Sequence, residues 1–423
     1  MPGHTETFGS HVATRFVTRI ALNTTGIALG FMVLGDPLGG RTWVDISEHA
    51  QGHRIERGAP AGNRPGAGKL TFRLVNDDGQ FSRPQSMFYG PGTLIQVGIL
   101  GASTYMMFTG LVTRWAEASG GSSGVNFVDV TCLETISLLT DIDDPALDVA
   151  VGNDDILTAR VQRIVDNARW PFPVTSAHLP QLSSFPAEFS PGLPNAIAFG
   201  YQATTLAQPA WSEILLTADS LGCIVVGSRT GGLAIYSLAF GTGYGTSADL
   251  GGAIPIEADS IRTSNDDDRI LGQVTAARVG GTAMTATNDT VEGRYQRRST
   301  QRLDLITKDT FGPVLGDLDL AYFVNAQLYT RNETYRVDSC ELDTAQGSAV
   351  WEFIAGPNGI TDPYATRATV TKPEPDGSTT VFANELVVGW ELEFSPLTES
   401  SITCHATVQF ASNGPDTTWS NTP

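Results

Sequence analysis

Residues 66–115 read GAGKLTFRLVNDDGQFSRPQSMFYGPGTLIQVGILGASTYMMFTGLVTRW. Over 69–76, apolar and polar residues alternate: Leu70, Phe72 and Leu74 share one face, and Lys69, Thr71 and Arg73 the other. That spacing belongs to a half-buried strand. Asn76-Asp77-Asp78-Gly79 then supplies turn chemistry, because Asn and Asp bond their own backbone and Gly accepts a positive φ. Residues 94–100 and 107–115 read as two further strands.

Working outward, 16–24 and 42–47 alternate well enough for two more strands, the second offering Trp43, Val44 and Ile46 to a core or an interface. Residues 125–133 read as a strand whose continuation, 134–139, is expected to turn helical. Many short strands joined by turns suggest a small antiparallel barrel or sandwich over about 16–140. The Gly/Pro-rich loop 59–68 is followed by a strand and carries no Lys-Ser/Thr pair, so it does not make a phosphate cradle.

The character then changes. Asp141-Ile142-Asp143-Asp144 is an acidic linker that lacks the further ligands and glycine of a calcium loop. From Asp154, the stripe Leu157, Val161, Ile164, Val165 and Ala168 predicts a helix, with Asp154 as cap and Pro171 as stop. Residues 171–194 read as a long loop. A second helix is expected over 209–221, with Gly222 behind it, followed by strands at 223–227 and 233–236 around the turn Arg229-Thr230-Gly231-Gly232. Residues 240–252 read as a Gly-rich loop, 270–281 as a strand ending at a Gly pair, and 334–343 and 350–354 as strands. Arg294 to Arg298 is the one basic cluster, suited to an acidic partner or to protecting a strand edge. After Pro357 the composition shifts to Thr, Ser and Pro, with strands near 386–394 and 402–410 and a frayed tail.

Composition narrows the class. The chain has 423 residues, enough for about two to four domains, and its 45 Gly and 23 Pro with 17% charged residues favour a loop-rich β protein. It shows no apolar run of about 18 residues and no basic, apolar leader at its start. Cys132, Cys223, Cys340 and Cys404 are scattered without a C-x-x-C; the first three sit in apolar contexts and read as buried thiols, consistent with cytosolic synthesis. A net charge of −19 argues against a nucleic-acid-binding surface; it suits solubility, or a surface that must pass DNA without holding it.

No catalytic constellation emerges. His49 and His53 are spaced i, i+4 without the Glu of an H-E-x-x-H motif, the other histidines (His4, His11, His178, His405) are isolated, and no G-x-S-x-G elbow occurs. The abundant carboxylates mark no special pair, since a glycosidase pair is defined by separation in space. No catalytic, cofactor or metal residues are assigned. The seven tryptophans (Trp43, Trp115, Trp170, Trp211, Trp351, Trp390, Trp419) sit mostly in strand or helix patterns that predict core.

Taken in order, W-V-D-I-S, the Gly-rich loop, G-K-L-T-F-R-L-V-N-D-D-G-Q-F-S, P-G-T-L-I-Q-V-G-I, F-T-G-L-V-T-R-W and V-D-V-T-C-L-E resemble minor tail proteins of long-tailed actinobacterial phages. More broadly they are similar to the tail-tip or baseplate hub family of tube-like proteins. The resemblance covers roughly 16–356 and lies in the order of elements rather than in any one motif. It implies a mainly β chain with an α+β insertion. The expected division is a flexible arm (1–12), a first tail-tube-like antiparallel β-barrel (13–140), a helix-containing α+β domain (141–257), a second tube-like barrel (258–356) and a small C-terminal β extension (357–423).

The implied role is structural: a virion protein at the tail tip, with no enzymatic activity and no cofactor. The resemblance implies a homotrimer in which two barrels per chain give a pseudo-sixfold ring matching the tail tube. Its implied partners are distal tail or tail-tube proteins, the tape-measure protein, and other minor tail and receptor-binding proteins; DNA passes through its channel without sequence-specific binding. The acidic balance would then repel DNA phosphates, and the Asn76–Gly79 turn becomes a candidate contact at the ring's rim. Two readings compete: a hexameric distal tail protein with one barrel, and a carbohydrate-binding or cell-wall-cleaving tail protein needing an aromatic groove or a close carboxylate pair.

Overall fold

A computed structural model of the chain describes residues 15–22, 42–58, 66–82, 90–100, 104–119, 126–140, 149–176, 200–221, 223–237, 247–257, 259–265, 271–278, 281–289, 291, 293, 300–308, 320, 323–325, 328, 335–355, 360, 362, 366–398 and 401–411. The arm 1–12, most of the Gly/Pro loop, the acidic linker, Gly222, the basic cluster 294–298, the tail, Trp419 and His4, His11 and His178 lie outside these residues.

The first seven strands are β1 (Arg15–Leu22), β2 (Thr42–Asp45), β3 (Ala50–Gly58), β4 (Lys69–Val75), β5 (Leu94–Leu100), β6 (Thr104–Ser119) and β7 (Asn126–Glu134). The quoted stretch thus holds three strands, as the alternation predicts: Leu70, Phe72 and Leu74 are buried and Lys69 and Arg73 exposed. Its turn is not a hairpin, however. β4 pairs with β3 and β7, while β5 pairs with β6 and β1. The chain leaves Asn76–Gly79 to bury Phe81 beside Trp115, whose indole N–H donates to the Phe81 carbonyl at 3.1 Å. β3 was not apparent in the sequence. It carries one large aliphatic residue, Ile55, and its fully inward positions are otherwise His53 and Arg57.

Although β1 and β3 are separated by four strands in the sheet, the sheet curls until they touch. Thr18 Oγ1 lies 2.9 Å from His53 Nε2, and the Phe16 ring stacks on His53 at 4.4 Å between centroids.

A short α1 (Ser137–Thr140) follows, then the α+β unit: α2 (Leu157–Asn167), β8 (Val174–Ser176), α3 (Ala210–Asp219), β9 (Cys223–Gly227) and β10 (Leu233–Ser237). β8, β10 and β9 form their own sheet, with β8 drawn from a segment expected to be loop. Val225, Leu233 and Ile235 face α2 and α3, whereas Val226, Ala234 and Tyr236 pack on Leu386 and Val388. The expected cap of α2 is corrected: Asp154 has φ 64° and Ile156 occupies the cap without a side-chain bond. The helix also ends before Pro171, in a Schellman motif. Arg169 is left-handed (φ 53°), and the amides of Trp170 and Arg169 return to the carbonyls of Val165 and Asp166.

The remaining strands are β11 (Ser247–Leu250), β12 (Arg262–Asn265), β13 (Gln273–Arg278), β14 (Met284–Thr287), β15 (Thr300–Leu305), β16 (Tyr335–Asp343), β17 (Arg367–Pro373), β18 (Thr379–Thr398) and β19 (Ser401–Ala411), with α4 (Ser348–Ala355) after β16. Residues 350–354, expected as a strand, belong to α4. Val350, Trp351, Phe353 and Ile354 are all buried, as the i, i+3, i+4 face of a helix requires. β11 lies within the segment expected as a Gly-rich loop, and pairs in parallel with β17.

The large sheet has thirteen strands in the order β12-β16-β19-β18-β3-β4-β7-β6-β5-β1-β2, with β17 joining β18 and β11 joining β17. Strands β17–β19 fall in the segment expected as a small C-terminal extension (357–423), yet all three join this sheet, with β18 and β19 inside its main path. β18 pairs with β3 on one side and β19 on the other. The strand expected to open a second barrel, β13, instead sits with β14 and β15 in a separate three-stranded sheet that has its own small core around Leu271, Val274 and Leu328. The hydrogen-bonded path is therefore one continuous sheet, and two separate closed barrels do not follow from the pairing. One apolar core runs from Phe16 and Leu70 through Trp390 to Phe410. At about 1.5–3 kcal/mol for each large apolar side chain buried, this shared core couples the two halves energetically.

Candidate functional site

The element that joins the parts of the molecule is a buried ionic cluster at Arg57. Strand β3 ends at Gly58, whose φ is 89° and whose close approach to Val388 leaves no room for a Cβ: that atom would sit 2.1 Å from the Val388 carbonyl oxygen. The tight passage seats Arg57 against β18. The register places Arg57 opposite Trp390, with the guanidinium carbon 5.2 Å from the indole centroid.

Arg57 Nε donates to Glu134 at the end of β7, and Nη2 donates both to the Gly227 carbonyl and to Asp362 Oδ1, the latter at 3.1 Å. Glu134 Oε2 also accepts from the Gly68 amide at 2.8 Å. Asp362 is held further by the Arg229 amide at 2.8 Å and the Tyr236 hydroxyl at 3.3 Å. Arg57 and Glu134 are fully buried. Burial alone would lower the Arg57 pKa, but the charges of Glu134 and Asp362 turn the net shift upward. The cluster thus ties the first strands, the α+β sheet and the segment before β17 to one cation. The geometry makes a structural joint, in which Arg57 pairs with both Glu134 and Asp362 inside the protein.

The Asn76–Gly79 turn is built as its sequence requires. Asn76 is buried, its Oδ1 accepts from the Phe81 amide at 2.9 Å, and its Nδ2 donates to Ser82 Oγ at 2.7 Å. Asp77 and Asp78 point to solvent. His49 and His53 do not converge on a site: His49 bonds Gln80, and His53 is stacked between Phe16 and Phe72. Burial lowers the His53 pKa to about 3, so the ring is neutral.

The four cysteines are free and buried, and burial pushes each thiol above its ordinary range, Cys340 to about 12. Trp170, Trp351 and Trp390 are core residues, while Trp43, Trp115 and Trp211 pack half-buried against the cores. Among the described residues, the side chains with metal-ligand spacing are Glu257, Glu341 and His405, which sequence spacing could not bring together. No helix among the described residues is long and apolar enough to cross a membrane.

The sequence matches no protein-family model and no curated protein. Its fold, in contrast, is found in solved tail proteins. A tail protein from Neisseria meningitidis MC58 superposes with a TM-score of 0.53 at 13% identity, over 93% of this chain and 96% of that one. The 43 kDa tail protein of prophage MuSo2 from Shewanella oneidensis gives 0.52 at 11% identity, over 95% and 99%. The likeness spans the molecule and defines a tail-protein fold.

Proposed function

We propose that this chain is a structural virion protein of a phage tail tip or baseplate, acting as a hub. In this reading, copies form a ring that continues the tail tube, encloses the DNA channel and anchors neighbouring tail-tip proteins. The observation that carries it is the whole-length likeness to two tail proteins at very low identity. The sheet arrangement supports it. One half (β1–β7) and the other (β11, β12 and β16–β19) are fused through β18 and β3 into a unit with two sheet segments per chain. Three such chains would present six segments to a sixfold tube.

A homotrimer, contacts with distal tail and tape-measure proteins, and passage of DNA past an acidic wall belong to the same proposal. The proposed second half is drawn from β11, β12 and β16–β19, so it takes strands from both sides of the expected limits 258–356, while β13–β15 form a sheet of their own. The half-buried and buried tryptophans weigh against the glycan-groove reading.

The test is rotational symmetry in averaged images of tail tips labelled on this chain. Threefold density at the end of the tube supports the hub. A sixfold ring would assign the chain to the distal tail protein class, and absence of label from tail tips would overturn both.

A further inference from the structure

We propose that Glu257, Glu341 and His405 form a zinc site. Glu341 lies on β16 and His405 on the neighbouring β19. The register pairs Glu341 with Thr407, so Glu341 and His405 are diagonal neighbours on one face. The chain after β11 folds back over them. The Glu257 amide donates to the Glu341 carbonyl at 2.9 Å, and the Glu341 amide donates to Ser260 Oγ at 3.0 Å. Three backbones fixed in this way aim one imidazole and two carboxylates at a common point.

The spacing is that of ligands around an ion. His405 Nε2 stands 3.5 Å from Glu257 Oε1 and 3.6 Å from Glu341 Oε2, and all three donor atoms lie within 4.8 Å of one another. Imidazole–carboxylate hydrogen bonds are shorter, about 2.7–3.2 Å. Two ligands on a tetrahedral ion with bonds of about 2.0–2.2 Å are separated by roughly 3.3–3.5 Å. A second observation points the same way: among the described residues, neither carboxylate is paired with a lysine or arginine. The side chain that faces both carboxylates is the His405 imidazole, a nitrogen donor set between two oxygen donors.

The donor set favours zinc. One nitrogen and two oxygens suit a borderline ion, whereas calcium takes six to eight oxygens and magnesium keeps its waters. Three protein ligands leave at least one position for water. His405 is 43% exposed, so the ion can enter from solvent. Bound there, it would staple the segment between β11 and β12 onto β16 and β19. The site is independent of the tail-tip reading.

Isothermal titration of zinc into the full chain, purified without a histidine tag, treated with chelator and held at pH 7.5, tests it. One saturable equivalent is expected, weakened at least tenfold in both His405→Ala and Glu341→Gln, with circular dichroism unchanged. Zinc should also raise the melting temperature of the native chain and not of His405→Ala. No uptake by the native chain at millimolar zinc would overturn the proposal, and so would uptake undiminished in both variants.

Discussion

Arg57 donates to Asp362 at 3.1 Å across 305 residues of sequence, and the same guanidinium holds Glu134. The two carboxylates come from opposite sides of the joint between the halves of the large sheet. A buried ion pair adds little net stability compared with an apolar replacement of the whole set, because desolvation offsets attraction. Removing one partner is different, since it strands the others. Arg57→Met is therefore expected to cost about 3–5 kcal/mol in urea unfolding. The triple variant with Glu134→Gln and Asp362→Asn should recover at least half of that loss. Equal losses in the single and triple variants would show that packing, and not charge, holds the joint.

The passage of β3 beneath β18 gives a backbone test. Gly58→Ala demands a positive φ from a residue with a Cβ and drives that atom into the Val388 carbonyl. The expected cost is about 3 kcal/mol or more, with faster amide exchange along β18 between Val388 and Leu392. Exchange confined to β3 would mean that β18 is held by β19 alone.

Much of the first half was legible. β4, β5 and β7 carry apolar residues at every second position of their inward faces, and a period of two identifies a strand without any knowledge of its partners. β3 was not legible because its inward residues, His53 and Arg57, are polar and satisfied only by residues far away in sequence. The α4 segment reads as a strand because a run of four apolar residues in five fits either period; the length that distinguishes a helix comes from the small residues around it. The Arg57 cluster and the Glu257–Glu341–His405 triad have no local signal, since each is assembled from segments far apart in the sequence.

His53 gives a pH dependence with a defined sign. Burial lowers its pKa from 6.5 to about 3. Between those values the unfolded chain binds a proton that the folded chain does not. The stability contributed by the neutral ring is full above about pH 6.5 and is lost as pH falls through this window, by up to ~1.4 kcal/mol per pH unit. His53→Gln should reduce stability at pH 7.5 while flattening the decline between pH 6 and 4, as measured by urea titrations at each pH. An unchanged slope would mean that this ring is not the titrating group.

One substitution should stabilise the protein. Arg169 occupies the left-handed position that ends α2, where a Cβ crowds the following carbonyl at roughly 1–2 kcal/mol. The motif itself is complete: the Trp170 amide reaches Val165 at 2.9 Å and the Arg169 amide reaches Asp166 at 3.0 Å. The Trp170 side chain is buried beside Phe172, at 5.3 Å between ring centroids, which fixes the exit direction of the chain. Glycine keeps every one of these bonds and removes the crowding, although it adds freedom to the unfolded chain. The gain that survives is expected to be about 0.5–1 kcal/mol for Arg169→Gly, read as a higher urea midpoint with an unchanged slope. Arg169→Ala keeps the Cβ and loses only the exposed guanidinium, so it should leave the midpoint where it was. If alanine stabilised as much as glycine, the strain would lie in the arginine side chain and not in the backbone turn.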